Sequence, residues 1–278
     1  MAKIRSYNHM KKETIILIID DEQVILDAVS KIALSEGWEV DTVLNVKDGL
    51  NKLKINKYSL ILSDIMMPET DGFQLLEELY VKKIDIPVIM ITGYSTVENA
   101  VKSLYKGAID FIPKPFTIDE LISSMYRGLQ YRNIQKKFRD TEQNDSTKES
   151  IIFVPCPAKY KRLGYMSWMD LENEGSAKIG VTDLFLETIK DTTRVELMDV
   201  EDLVIQGNTC ANFETNDNLI HNCLAPLGGR IVERNEKIIA DPSLLEKDPF
   251  FEGWLYRIIP SDIEYDIKYL IPCSSDRI

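Results

Sequence analysis

Along the first half of the chain, short apolar runs alternate with polar stretches at helical spacing. Thr14–Ile19 (TIILII) is an apolar run rich in isoleucine, which predicts a strand buried on both faces. Val24, Ile25, Ala28, Val29, Ile32 and Ala33 then repeat at helical spacing, so Val24–Glu36 is expected to be a helix stopped by Gly37. The same reading gives strands at Trp38–Val43, Tyr58–Ser63, Pro87–Thr92 and Asp110–Ile112. Helices are expected at Val46–Ile55, Gly72–Lys82 and Ser95–Lys106, with a last one capped by Thr117 and running to about Arg139. Five strand–helix alternations predict an α/β fold with a doubly wound parallel sheet and right-handed crossovers.

The second half has a different rhythm. Short β-like runs at Ile151–Val154, Ala177–Val181, Thr193–Met198, Cys210–Glu214, Arg230–Glu233 and Leu255–Ile259 are separated by turn residues, and one helix fits Asp183–Lys190. This predicts a small β-rich sandwich or barrel. Between the halves, Asp140–Ser150 (DTEQNDSTKES) has no apolar residue and reads as an exposed linker. The helix before it is long enough to extend past the first domain. The segment after Ile259 shows no readable pattern.

Composition narrows the class. A chain of 278 residues that is 44% hydrophobic and 28% charged suits about two soluble domains. No apolar run reaches the roughly 20 residues of a membrane helix. The N-terminus has no secretory apolar region, and Met10 is a natural start, so residues 1–9 read as an addition or a loose tail. Cys156, Cys210, Cys223 and Cys273 show no CxxC spacing, and two histidines make a zinc site a poor fit. Reduced thiols in a cytoplasmic protein are expected. Residues 1–137 carry 18 basic and 19 acidic side chains; residues 138–278 carry 15 and 26. That −11 balance has the wrong sign for a nucleic-acid backbone binder.

The predicted strands bring chemistry to one edge. Strands one, three, four and five end in Asp20-Asp21, Asp64, Thr92 and Lys114. In an open parallel sheet these ends share the edge where ligands bind. Three carboxylates there repel one another unless a cation sits among them, and hard oxygen donors suit Mg2+. With a lysine nearby, one carboxylate can act as a nucleophile toward a phosphoryl group.

These residues resemble the receiver domain of two-component response regulators over about Thr14–Arg132. The match rests on Asp20-Asp21, on Asp64 with Pro68 and Gly72, on Thr92-Gly93, and on Gly107-Ala108-x-Asp110-Phe111 leading to Lys114-Pro115. The resemblance implies a flavodoxin-like sheet of order 2-1-3-4-5. It implies Asp64 as phosphoacceptor, and Mg2+ held by Asp20, Asp21, Asp64 and the backbone carbonyl of Met66. Thr92 and Lys114 would bind phosphoryl oxygens, Thr92 and Phe111 would form the switch, and Lys114-Pro115 is a candidate cis bond.

The second half resembles the glycine cleavage H protein, of the lipoyl and biotinyl carrier (hammerhead) fold, from about Gly164 to Ile259. The landmarks are Trp168, Ile179-Gly180-Val181-Thr182, Ala225-Pro226-x-x-Gly229, Asn235, Pro242, Leu244, Asp248-Pro249-Phe250 and Gly253-Trp254-Leu255. Gly229 is expected to serve a tight hairpin and Trp254 to anchor the core. Carriers of this family place a lysine at a hairpin tip about eight residues before the Ala-Pro turn. Here that position is Asp217 or Asn218, and no lysine lies between Lys190 and Lys237. Without an amine, lipoate is not expected. His221 and Cys223 share one expected strand and lack a base-orienting partner, so no catalytic role is read there.

The expected organisation is a tail (1–13), a receiver (14–139), a linker (140–150), an H-protein-like domain (151–260) and a C-terminal tail (261–278). The function expected is that of a cytoplasmic response regulator and phosphoprotein, not an enzyme. A sensor histidine kinase or phosphotransfer protein would phosphorylate Asp64. The non-lipoylated second domain would act by contact with a lipoate-handling or glycine-cleavage-related protein. A homodimer through the receiver is allowed; nucleic acid and membrane are not expected. The alternatives are a receiver-regulated lipoyl or acyl carrier and a phosphorylation-independent scaffold.

Overall fold

The computed structural model describes residues 15–143, 154 and 156–273. The N-terminal tail, most of the expected linker (144–150), the expected strand residues Ile151–Phe153 and the last five residues lie outside them. The described chain divides into two compact units. The first holds the residues up to Ser95 together with Lys106–Arg132; the second holds Thr96–Tyr105 and the chain from Asn133.

In chain order the first half contains β1 (Ile15–Ile19), α1 (Gln23–Ser35), β2 (Glu39–Val43), α2 (Val46–Leu53), β3 (Leu60–Ser63) and α3 (Gly72–Val81). Then come β4 (Val88–Thr92), α4 (Val97–Tyr105), β5 (Asp110–Pro113) and α5 (Ile118–Gln143). The sheet order is β2-β1-β3-β4-β5, all parallel. Strands β3 and β4 are buried at every position, as a central parallel strand must be when helices cover both faces. Leu17, Ile19, Ile61, Phe73, Leu76 and Met90 belong to one buried cluster. Each such side chain contributes about 1.5–3 kcal/mol on burial. Local signals agree with this packing. Asn45 caps α2, and Asp71 with Gln74 forms a reciprocal capping box on α3.

Helix α5 is longer than expected. It runs through Asp140–Gln143, so the first four residues of the polar linker are helical. Polar composition did not stop the helix because no Gly or Pro interrupts it there.

The second half contains β6 (Lys161–Leu163), β7 (Ser167–Leu171), β8 (Ala177–Val181), α6 (Asp183–Ile189), β9 (Thr192–Leu197), β10 (Leu203–Val204) and β11 (Thr209–Thr215). After these come β12 (Ile220–Leu224), β13 (Gly229–Arg234), α7 (Glu236–Ala240), α8 (Ser243–Lys247), β14 (Trp254–Pro260), α9 (Ile263–Asp266), a 3-10 turn (Ile267–Tyr269) and β15 (Ile271–Pro272). An antiparallel sheet of order β10-β13-β14-β8-β7-β6-β15 accompanies a three-stranded sheet, β12-β11-β9.

Several expectations change here. Val154 is not in a strand; its N–H donates to the buried carboxylate of Asp183 at 2.5 Å. The segment after Ile259 is not a patternless tail, because β15 adds to β6 at the sheet edge. Gly229 opens β13 rather than turning a hairpin. It faces Pro260, and a Cβ there would strike the Ile259 carbonyl. The fully buried anchor is Trp168, whose Nε1 donates to the carbonyls of Val181 (2.8 Å) and Pro249 (3.2 Å). Trp254 is half-buried, between Lys178 and Arg257. The cysteines are not all reduced: Cys156 and Cys273 form a disulfide with Cα atoms 5.5 Å apart, while the buried Cys210 and Cys223 are thiols. The Cys273 N–H donates to the Tyr160 carbonyl at 3.1 Å, which brings two residues 117 positions apart into bonding range.

Candidate functional site

The carboxyl ends of β1, β3, β4 and β5 converge as the sequence order requires. Asp20 follows β1, and its amide donates to the Val43 carbonyl at 3.2 Å. Asp64 follows β3, and its amide donates to Ile19 at 2.9 Å, which ties the β1 and β3 ends together. Both carboxylates are buried and Asp21 is exposed. Carboxylate oxygens of the three lie within 4.8 Å of one another.

Lys114 completes the group. Its Nζ donates to Asp20 Oδ2 at 2.7 Å and to Asp64 Oδ2 at 2.9 Å. Its backbone N–H donates to the Thr92 carbonyl at 2.8 Å, which fixes the β5 end against the β4 end. The Lys114-Pro115 bond is cis. Burial pulls the lysine pKa down, but hydrogen bonds to Asp20 and Asp64 outweigh it and hold the amine above its ordinary value. Burial likewise raises the Asp20 carboxyl, against the lowering by Lys114 and by the Glu22 amide. A third acid, Glu22, stands 3.6 Å from Lys114; it is absent from the sequence-based set of site residues, although its place two residues after Asp20 is a signal for it.

Thr92 is fully buried, and its Oγ1 accepts the Tyr94 N–H at 3.2 Å. Met66 is exposed, with its N–H on Asp64 Oδ1 at 3.2 Å. Phe111 is half-buried against the hydrophobic cluster. Below it, buried Asp110 accepts the Phe111 N–H at 2.8 Å and also pairs with Arg127 and Ser124 of α5. The two α5 partners were not read from the sequence, because a buried arginine carries no signature apart from its partner. Gly72 opens α3 directly under Asp64; any Cβ there would collide with the Asp64 carbonyl.

Three clustered carboxylates are hard oxygen donors of the kind Mg2+ takes, and the two buried ones share Lys114 as their one cationic partner among the described residues. The donor set therefore fits that ion.

The hairpin β11–β12 places Asp217 and Asn218 together at an exposed tip. Asp217 Oδ1 accepts the Thr215 hydroxyl at 2.5 Å, and Asn218 takes a left-handed φ of 62°. No amine is offered by either residue. His221 and Cys223 are buried on β12, with the His221 ring 3.5 Å from Thr215 Oγ1.

A five-stranded 2-1-3-4-5 sheet with this acidic edge and its lysine defines the receiver class. The comparisons agree: residues 16–126 match the response regulator receiver domain family, and residues 159–274 match the glycine cleavage H-protein family. The chain thus carries a receiver domain followed by an H-protein-like domain. Among similar proteins, the regulatory protein AtoC of Escherichia coli K12 is 36% identical over 132 residues, 48% of this chain and 29% of AtoC. The DNA-binding transcriptional regulator NtrC of Salmonella typhimurium is 31% identical over 142 residues, 51% of this chain and 30% of NtrC. The chain therefore spans less than a third of the length of these two regulators. Among solved structures, a receiver domain protein from Methanospirillum hungatei is 34% identical, with 44% of this chain and 98% of that one covered and a TM-score of 0.42. A glycine cleavage H protein from Mycobacterium marinum is 25% identical, covering 40% and 96%, with a TM-score of 0.36. Among the described residues, no helix is long and apolar enough to cross a membrane.

Proposed function

We propose that the protein is a response regulator phosphorylated on Asp64, and that its H-protein-like domain is an output acting by protein contact. The observation that supports this most is Lys114, whose amine bridges buried Asp20 and Asp64 beside Asp21. The phosphoryl donor is a phosphohistidine of a sensor kinase or phosphotransfer protein. An Asp64 carboxylate oxygen attacks phosphorus, the P–N bond breaks, and the imidazole leaves with the bonding pair and takes up a proton. Lys114 offsets charge on the arriving oxygens, and the Thr92 hydroxyl donates to one of them. Asp20, Asp21, Asp64 and the Met66 carbonyl would hold Mg2+, which would supply further positive charge to the phosphoryl oxygens. Phosphorylation biases Thr92 and Phe111 between two populations, with the Asp110–Arg127 pair passing the bias to α5.

The output carries no lipoate, since the tip offers Asp217 and Asn218. The cellular setting is the cytoplasm, without nucleic-acid or membrane binding, and receiver pairing is compatible with the fold. The test is to treat the full chain with acetyl phosphate and Mg2+ and then with neutral hydroxylamine. An acyl phosphate on Asp64 is cleaved; phosphate that survives hydroxylamine contradicts the reading.

A further inference from the structure

The disulfide sits at a telling place. Cys156 stands at the chain's approach to the H-protein-like domain and Cys273 at its far end, so one bond closes 117 residues. The strand pairing beside it is short. Strand β15 has two residues, pairs with β6, and lies at the sheet edge among the described residues. The Cys273 N–H on the Tyr160 carbonyl adds one backbone bond at the end itself, and farther back Asp266 accepts from the Gly228 N–H at 2.7 Å and from Gln206 Nε2 at 2.9 Å. Few backbone bonds at an edge open at low cost, which gives a small reagent a route to sulfurs that are buried in the closed state.

The bond is also wired to the core. Both sulfur residues belong to one cluster with Tyr160, Trp168 and Phe250, and Trp254 packs against it. The Tyr160 and Trp168 rings lie 4.9 Å apart, and Trp168 and Phe250 6.0 Å. Opening the end removes the cover of this aromatic cluster. The two other cysteines offer an internal contrast. Cys210 and Cys223 are buried within β11 and β12, away from any chain end, and remain thiols.

We propose that Cys156 and Cys273 are a thiol–disulfide exchange site for small dithiols and disulfides, and that the bond is a redox clasp on the H-protein-like domain. In a reducing compartment a disulfide is a transient, regulated bond rather than a fixture. A thiolate of the dithiol attacks one sulfur, the Cys156–Cys273 bond breaks, and one cysteine leaves as thiolate while a mixed disulfide forms. The second thiol of the reagent then displaces the other cysteine. The protein gains two electrons and two protons, and the reagent leaves as its cyclic disulfide. Oxidation runs the same steps backward with a small disulfide as acceptor. This input is independent of Asp64.

The experiment uses the full chain held, under native conditions, at a series of reduced-to-oxidised dithiothreitol ratios. Each sample is quenched in acid, denatured and alkylated, and its intact mass is read. The expected result is a single two-electron step between a form with two alkylated cysteines and one with four. Across that step the melting temperature of the second domain falls by about 10 °C, and tryptophan fluorescence changes. Cys156→Ser and Cys273→Ser should each melt like the reduced wild type and show no step. Cys210→Ser should keep it. A bond that survives excess dithiol for hours in the folded protein overturns the proposal, as do four free thiols in oxidising buffer. A step with no change in fluorescence or melting also overturns it, since the bond would then not be a clasp.

Discussion

The receiver edge and the hairpin tip both present acidic residues where a strand meets a turn, yet they differ in what surrounds them. Asp20 and Asp64 are buried, ion-paired with Lys114 and fixed by backbone bonds between strand ends. Asp217 is exposed and spends its carboxylate on its own turn, taking the Thr215 hydroxyl. Burial with a paired cation prepares a group for chemistry; exposure with local hydrogen bonds only shapes a loop.

The largest effect is expected at the cation. Lys114→Gln removes the positive charge between Asp20 and Asp64, and the rate of phosphoryl uptake from acetyl phosphate should fall about 100-fold or more. A rate within threefold of wild type would erase the contrast between the two sites. Next is Gly72→Ala, whose methyl group strikes the Asp64 carbonyl. It should destabilise the receiver by about 3 kcal/mol in urea unfolding.

Tyr58 sharpens the comparison through pH. Burial and the hydrogen bond to Asp41 raise its pKa from 10.0 to about 12. A raised folded pKa gives stability that is full below pH 10 and is lost as pH rises through 12. The melting advantage of wild type over Tyr58→Phe, about 2 kcal/mol at neutral pH, should therefore shrink across pH 10–12.

The smallest effect is at the tip. Asp217→Ala loses local turn bonds and should cost about 1 kcal/mol with no change in phosphoryl uptake. Co-expression with a lipoate ligase should leave the wild-type mass unaltered, because Asp217 and Asn218 supply no amine.

What was legible in the sequence follows the same division. Runs such as TIILII and PVIMIT mark themselves because both faces of a parallel strand are apolar. The site residues stood out because they end those runs. In the second domain, Ser167–Leu171 and Ile220–Leu224 are strands that carry Ser, Asp, His and Asn, so no alternation showed. Their polar groups are absorbed by particular partners, as with Ser167 on the Leu224 carbonyl and Asp170 beside Lys159. The disulfide was hidden because its halves are 117 residues apart and are brought together by tertiary pairing, of β15 with β6 and of the Cys273 N–H with the Tyr160 carbonyl. Asp110, buried with Arg127, was legible as a motif position but not as an ion pair.

The central claim is that the buried carboxylate at the β3 end takes a phosphoryl group. The most direct measurement is the intact mass of the full chain after acetyl phosphate, with Mg2+ or with EDTA, run beside Asp64→Asn. One phosphoryl adduct on wild type with Mg2+, absent with EDTA and absent in the variant, is the predicted result. An adduct on Asp64→Asn equal to that on wild type, or none on wild type, would contradict it.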